Sequence, residues 1–249
     1  MLLLAVDRSS ASSGAALFRD GACLAERTAR GDPARAPAWM ADIRDLLARA
    51  GLSVGQLDGL AVGLGPGSFS GTRAAVAGLQ GLGLPRGIPL AGVSSASALA
   101  WRVLQTAPCG SRVAVVGDAR RERLWTAAFE RGVDGRLAVV GVEGRLRPPS
   151  HADDDFQLVL ASKLAAAIPA GAKVLSPDWD RIETRLREQL DDGLLVAGCQ
   201  CPTAGDVARL VVADRAGARS DPVPVYLHPP VGAAVPRERG GDMNGQREP

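Results

Sequence analysis

The chain has 249 residues, of which 46% are hydrophobic, 22% charged and 4% aromatic. At roughly 150 residues per domain that is apolar material for one large core or two small ones. Net charge is +2, from 29 basic and 27 acidic residues, which gives no broad field for a phosphate backbone and argues against stand-alone nucleic-acid binding.

No run approaches the ~20 apolar residues of a membrane helix. Met1–Val6 lacks the basic flank of a secretory leader and meets Asp7 at once, so a cytoplasmic chain is expected. The basic residues are arginine except for Lys163 and Lys173. Cys23, Cys109, Cys199 and Cys201 are scattered, and Cys199-x-Cys201 has the wrong spacing for a zinc or redox pair.

Residues 1–7 and Gly14–Phe18 are apolar runs around the turn formers Arg8–Ser13, which predicts a β-hairpin. A third strand, Ala22–Thr28, follows Asp20-Gly21 and completes an antiparallel meander. Trp39, Ile43, Leu46, Leu47 and Ala50 recur at helical spacing, with Gly51 past the end. A buried-type strand at Leu60–Leu64 runs into a glycine-rich turn. Helical periodicity resumes at Phe69, Val76 and Leu79, among the small residues Ala74, Ala75, Ala77, Gly78 and Gly81. A strand at Leu90–Val93 and a helix at Ser94–Leu104 end the first half, an α/β unit.

Near Pro108-Cys109-Gly110 the pattern restarts. Val113–Gly117, Leu124–Glu130 and Leu137–Val142 predict a second meander. Short strands around Val159 and Val174 and helices over 178–190 and 206–214 follow. The shared order of elements points to duplication. From Pro229 onward, proline, glycine and charge predict a disordered tail.

Gly65-Pro66-Gly67-Ser68-Phe69-Ser70-Gly71-Thr72-Arg73 joins a strand to a helix, where backbone N–H groups and the helix dipole suit an anion. It is not a P-loop, because five residues separate Gly65 from Gly71 and no Lys follows. It fails as a dinucleotide fingerprint, with Ser68 where the third glycine belongs. Nor is it a nucleophile elbow, since the Gly67–Gly71 interval centres on Phe69.

This segment resembles the G-P-G-S-F-T-G-x-R signature of the TsaB (YeaZ) family, a subunit of the bacterial tRNA threonylcarbamoyladenosine machinery. Ala5-Val6-Asp7-x-Ser9, Ile88–Ser95, Asp118-Ala119-Arg120 and Pro224-Val225-Tyr226-Leu227 resemble further family segments in the same order. Together they span about residues 1–228. The resemblance implies an α/β chain of the actin-like ATPase (ASKHA) fold. Two related subdomains, 1–107 and 108–228, would each open with an antiparallel β-meander and precede the tail 229–249. Departures are Arg8 for the family's Thr, Arg35-Ala36-Pro37 for its His-Ser, and Gly78-Leu79-Gln80-Gly81 for its Ala-Lys-Gly. The departures at Arg8, Ala36 and Gln80 bear on partner contact.

By the same resemblance the helices over 38–50 and 69–84 meet the catalytic subunit TsaD, or pair with a second copy. Trp39, Ile43, Leu46, Phe69, Arg73, Val76, Ala77 and Gln80 are the residues expected there. Small residues suit close helix packing, against either a partner or the chain's own sheet, and Trp39 reads equally as an exposed anchor or as core. Arg73 reads as neutralising a phosphate or carboxylate at the subunit boundary, or as one half of a surface salt bridge.

Asp7, Ser9, Ser10 and Asp118 stand where active relatives place phosphate hairpins. Gly117-Asp118-Ala119-Arg120 offers bulk and positive charge in place of a glycine-rich cradle, and Asp7 reads better as the cap of its own turn. The expectation is a non-catalytic subunit with no cofactor or metal of its own. ATP or ADP is left open at the TsaD boundary, TsaE would supply ATPase cycling, and tRNA would be met only through the complex. A stand-alone actin-fold phosphotransferase is the alternative, and a glycoprotease-like peptidase a weaker one. His151 and His228, the only histidines, lie in no triad or zinc setting. Asp153–Asp155 reads as a solvated loop, and Arg120-Arg121-x-Arg123 as a surface run more readily than a tRNA contact.

Overall fold

The computed structural model describes residues 1–30, 39–141, 145–147, 156–214 and 218–227. The first half contains β1 (Leu2–Asp7), β2 (Ser12–Arg19), β3 (Ala22–Arg30), α1 (Trp39–Arg49), β4 (Gly59–Gly63), α2 (Phe69–Gly83), β5 (Leu90–Val93) and α3 (Ser95–Leu104). The rest contains β6 (Arg112–Asp118), β7 (Arg123–Arg131), β8 (Leu137–Val140), β9 (Leu146–Arg147), β10 (Gln157–Leu160), α4 (Leu164–Ala167), β11 (Lys173–Leu175), α5 (Trp179–Gln189) and α6 (Ala204–Ala213). The expected strands and helices are present, and the short β9 and α4 carry no periodicity by which to foresee them. The expected tail 229–249, Arg35–Pro37, His151, Asp153–Asp155 and His228 lie outside the described residues.

Among the described residues the first sheet runs β3-β2-β1-β4-β5 and the second β11-β6-β7-β8-β9, with β10 also paired to β7. In each, three strands form an antiparallel meander, and a later strand pairs parallel to the meander's first strand on its free side, β4 beside β1 and β11 beside β6. The two sheets thus repeat one topology.

β1 reads as an unbroken apolar run because helices cover both faces of its sheet. Leu2, Leu4 and Val6 join α1 and α2 in one core, with Ile43, Leu46, Leu47, Ala75, Val76 and Leu79. Leu3 and Ala5 face the other way, into a second core that α3 and α6 share with Val113, Val115, Trp125 and Phe129 of the second sheet. The far face of that sheet packs Ala114 and Val116 on Trp179, Ile182 and Leu186 of α5. The layers are therefore helix, sheet, helix, sheet, helix. α3, pressed between two sheets, buries Ser95, Ala96, Ser97, Ala98, Leu99 and Ala100, all small except Leu99, so that both sheets approach.

α6 follows the second sheet in the chain but shares its core with β1, β2 and β4 of the first. Residues 219–225 then run beside that sheet: Arg219 exchanges two 2.8 Å backbone bonds with Gly92, and Val225 N–H donates to Leu64 O at 2.8 Å. Arg102 Nη1 of α3 donates to Asp206 Oδ2 of α6 at 3.0 Å and to Cys201 O at 3.1 Å.

Arg131 Nη1 donates to the carbonyls of Leu104, Gln105 and Ala107 at 3.3, 2.7 and 2.6 Å, satisfying the open end of α3. Arg131→Met keeps the stem but strands these acceptors. It is expected to lower the unfolding free energy by about 2–3 kcal/mol, read from urea denaturation with an unchanged slope.

Candidate functional site: the glycine turn and the outward face of its helix

Asp7 ends β1 with its side chain buried. Its Oδ1 accepts from Ser9 N at 2.8 Å and Ser9 Oγ at 2.7 Å, and its Oδ2 accepts from Ser95 Oγ at 2.6 Å. Desolvation pushes its carboxyl up to about 6, against the lowering effect of the hydrogen bonds from Ser95 and Ser9. Ser10 Oγ turns to Ser12, donating to its carbonyl at 3.1 Å and accepting from its N–H at 3.2 Å. Asp7 thus bonds Ser9 and Ser95 of α3, and Ser10 bonds Ser12.

The glycine turn explains itself on the same residues. Ser68 N–H donates to Ser9 O at 2.6 Å. Gly67 has φ 154°, a conformation that side chains disfavour, and a Cβ there would collide with Ser9 O. A Cβ at Gly71 would likewise collide with Arg8 O. Ser68 caps α2, its side chain accepting from Gly71 N at 3.2 Å. The glycines let the first hairpin's backbone sit where an anion would lie in a phosphate loop. The cavity beside Arg8 and Trp39 is about 10 Å³, room for one water and far below a nucleotide.

Asp118 occupies the corresponding place in the second hairpin, where guanidinium groups surround it. Arg120 N–H donates to Oδ1 at 3.0 Å, and the Arg120, Arg185 and Arg181 guanidiniums lie 3.5, 3.8 and 3.9 Å from its oxygens. Arg120, Arg121 and Glu122 all have positive φ, 65°, 50° and 63°. Such a left-handed turn of residues with side chains costs on the order of 1 kcal/mol or more for each.

The expected partner residues divide by helix face. Ile43, Leu46 and Val76 are buried against the first sheet, which corrects their assignment to a docking surface: they point inward. Trp39 is half-buried and lies across α2, since a Cβ at Gly78 would stand 2.5 Å from its ring. The Arg8 guanidinium lies 5.0 Å from the ring centroid. Gly78 therefore seats a tryptophan of its own chain.

Phe69, Arg73, Ala77 and Gln80 are exposed and form one stripe along α2. It begins at Phe69, 58% exposed, and continues past the helix end to Leu84, 81% exposed. Met40 of α1 is exposed and borders the same stripe, near Gly78. The sequence reading omitted Leu84, Met40 and Tyr226. Tyr226 is the only tyrosine of the chain and lies in the Pro224–Leu227 segment. It reaches Phe69, with ring centroids 5.6 Å apart, and its Oη accepts from Arg73 Nε at 2.9 Å.

Cys199 and Cys201 have their sulfurs 2.9 Å apart near Pro177 O. Desolvation and the neighbouring thiol push Cys199 up to about 12, which keeps it protonated. The described residues contain no group of three or more potential metal ligands, and no helix among them is long and apolar enough to cross a membrane.

A duplicated two-sheet core with helices between and outside the sheets, and an aspartate at the end of each half's first strand, defines the actin-like α/β class. The family model of TsaD, the tRNA N6-adenosine threonylcarbamoyltransferase, matches residues 37–142, less than half of the chain. The chain is 31% identical over 158 residues to the tRNA threonylcarbamoyladenosine biosynthesis protein TsaB of Escherichia coli K12, covering 59% of this chain and 63% of that one. TsaB of Haemophilus influenzae is 32% identical over 136 residues, 53% of this chain and 55% of that one. The matches thus span less than two thirds of either relative. YeaZ from Pseudomonas aeruginosa superposes with a TM-score of 0.69 at 24% identity, over 90% of this chain and all of that one. The chain is thus similar in sequence to proteins of the TsaB (YeaZ) family and shares the fold of YeaZ.

Two predictions follow from the turn. Gly67→Ala should cost more than about 3 kcal/mol or prevent soluble expression. Gly81→Ala, in open space on the helix that follows, should instead add up to about 1 kcal/mol, both read by urea denaturation. Asp7 supplies the second. Because its folded pKa lies above the ordinary 3.8, the folded state holds its proton while the unfolded state loses it. Its contribution to stability is therefore full below about pH 4, falls as pH rises, and is lost above about pH 6, roughly 2–3 kcal/mol in all. Measured against Asp7→Asn, wild-type stability should decline by that amount across the window. A flat difference would mean that Asp7 is charged throughout.

Proposed function

We propose that this chain is a TsaB-type subunit of the machinery that adds threonylcarbamoyl to the adenosine beside the tRNA anticodon. It would dock on a TsaD-type catalytic subunit through the outward face of α2 and the adjoining edge of α1. The observation that carries this is the exposed stripe Phe69, Arg73, Ala77, Gln80 and Leu84. It places two large apolar side chains in solvent on a helix whose other face is fully packed, a pattern that marks interaction surfaces. The likeness to TsaB proteins, together with the TsaD family match over residues 37–142, supports the choice of partner.

In this reading the chain is not itself catalytic. Its first hairpin is closed by Asp7, Ser9 and the glycine turn, and its second by arginines around Asp118. ATP or ADP would sit at the boundary with the partner, a TsaE-type ATPase would join the assembly, and tRNA would be met through the complex. Alone, two copies would pair through the same face. The contribution to catalysis is conformational: binding only the competent form of a partner shifts its population toward that form.

The test is size-exclusion chromatography with light scattering, on this chain mixed with the TsaD-type subunit of the same organism. A one-to-one complex is expected for wild type. Ala77→Arg should weaken it by about tenfold or more, the cost of forcing a charge into an apolar contact, with an unchanged circular dichroism spectrum. No complex at tens of micromolar, with or without nucleotide, would overturn the proposal.

A further inference from the structure

Arg73 is the only charged residue of α2. Its guanidinium carbon lies 4.1 Å from the Phe69 ring centroid and 5.4 Å from that of Tyr226. Its Nε–H is bonded to Tyr226 Oη at 2.9 Å. Two aromatic contacts and one hydrogen bond fix the plane of the group before anything binds, so ordering costs less on association. The two Nη groups have no acceptor and no carboxylate among the described residues, so the surface salt bridge foreseen for Arg73 is not made within them.

The neighbours on this face, Phe69, Ala77, Gln80, Gly81 and Leu84, are all uncharged. If a partner covers the face, the guanidinium leaves water, and a buried charge left unpaired opposes binding. A planar fork with both Nη groups open matches a carboxylate, which accepts two parallel N–H bonds. A phosphate would gather further cations or hydroxyl donors, and no second cation stands on this stripe.

We infer that Arg73, held by Phe69 and Tyr226, is the receptor for one aspartate or glutamate carboxylate on a helix of the docking partner. Tyr226 is a positioning residue that aims the fork. The inference rests on the docking role proposed above, and it adds the chemistry by which the partner is selected.

Calorimetric titration of the TsaD-type subunit into wild type and variants tests it, at low and high salt and with and without ADP. Arg73→Lys keeps the charge but loses the fork, and should weaken binding by about tenfold. Tyr226→Phe keeps the ring but frees Nε, and should weaken it by a few-fold, an effect that disappears when Arg73 is already alanine. Arg73→Glu should abolish binding, and an arginine in place of one acidic residue on the partner's contacting helix should restore it.

Wild-type binding that Arg73→Lys and Arg73→Glu leave within about twofold would overturn the carboxylate site and leave the docking role intact. An Arg73 effect seen only with ADP present would overturn it in favour of a phosphate. Failure of wild type to bind at all would remove both proposals. Arg73 is exposed, so the variants should keep the wild-type melting temperature, and Tyr226→Phe gives an independent reading if one of them does not.

Discussion

The Asp7 carboxyl is the knot from which the first half is built. Left unpaired in the interior it would cost several kcal/mol, so the chain brings it Ser9 from its own hairpin and Ser95 from the start of α3. Ser95 Oγ also accepts from Gly65 N at 3.0 Å, and Ser94 Oγ donates to Gly65 O at 3.2 Å, which fixes where the glycine turn leaves β4. Gly63 has no room for a side chain because Asp7 and Ser95 occupy that space. With the turn seated on Arg8 and Ser9, the first turn of α2 has a set position. The direction of α2, and hence which of its residues meet solvent, follows from the placement of one buried carboxyl.

The two halves repeat a topology and solve the same problem by different chemistry. In the first, the hairpin aspartate is bonded to hydroxyls, and its dehydration outweighs those bonds and raises its pKa. In the second, Asp118 keeps its main-chain bond to Arg120 and faces the guanidiniums of Arg120, Arg181 and Arg185. The backbone responds accordingly. The first turn is relaxed by glycines that arrive from a distant loop, whereas the second is held in left-handed geometry at three successive residues. The strands of the two halves follow one topology, and each hairpin is closed by different side chains.

Most of the fold was legible because its signals are local or periodic. The meanders, the restart near residue 110 and the helices all showed as runs, turn formers or helical spacing. The same periodicity misled the choice of site residues. Apolar recurrence along a helix reports the face that is buried, so Ile43, Leu46 and Val76 were drawn from the inward side. Arg73, Ala77 and Gln80 lie on the side that carries no periodic apolar signal. Trp39 was ambiguous from its own helix because its position is decided by Gly78, on another. The glycine turn was recognisable as special, but an anion cradle and a close backbone approach ask for the same glycines. Only the position of Ser9 O separates the two.

Tyr226 lay beyond such reasoning for a different reason: it contacts Arg73 across 153 positions of sequence. The contact exists because the chain, after completing the second sheet, sends α6 back to the first and then runs residues 219–225 past β5 to Leu64. Val225 is buried in the core beneath α2, which leaves its neighbour Tyr226 at the surface beside Phe69. The outward face of α2 is thus not the property of one helix. Its shape depends on the glycine turn, its border on Met40 of α1, and the aim of its single charge on the last part of the described chain. That charge can be fixed before binding only once the later half has folded and returned, which makes the integrity of the whole duplicated core a condition for the surface presented by its first half.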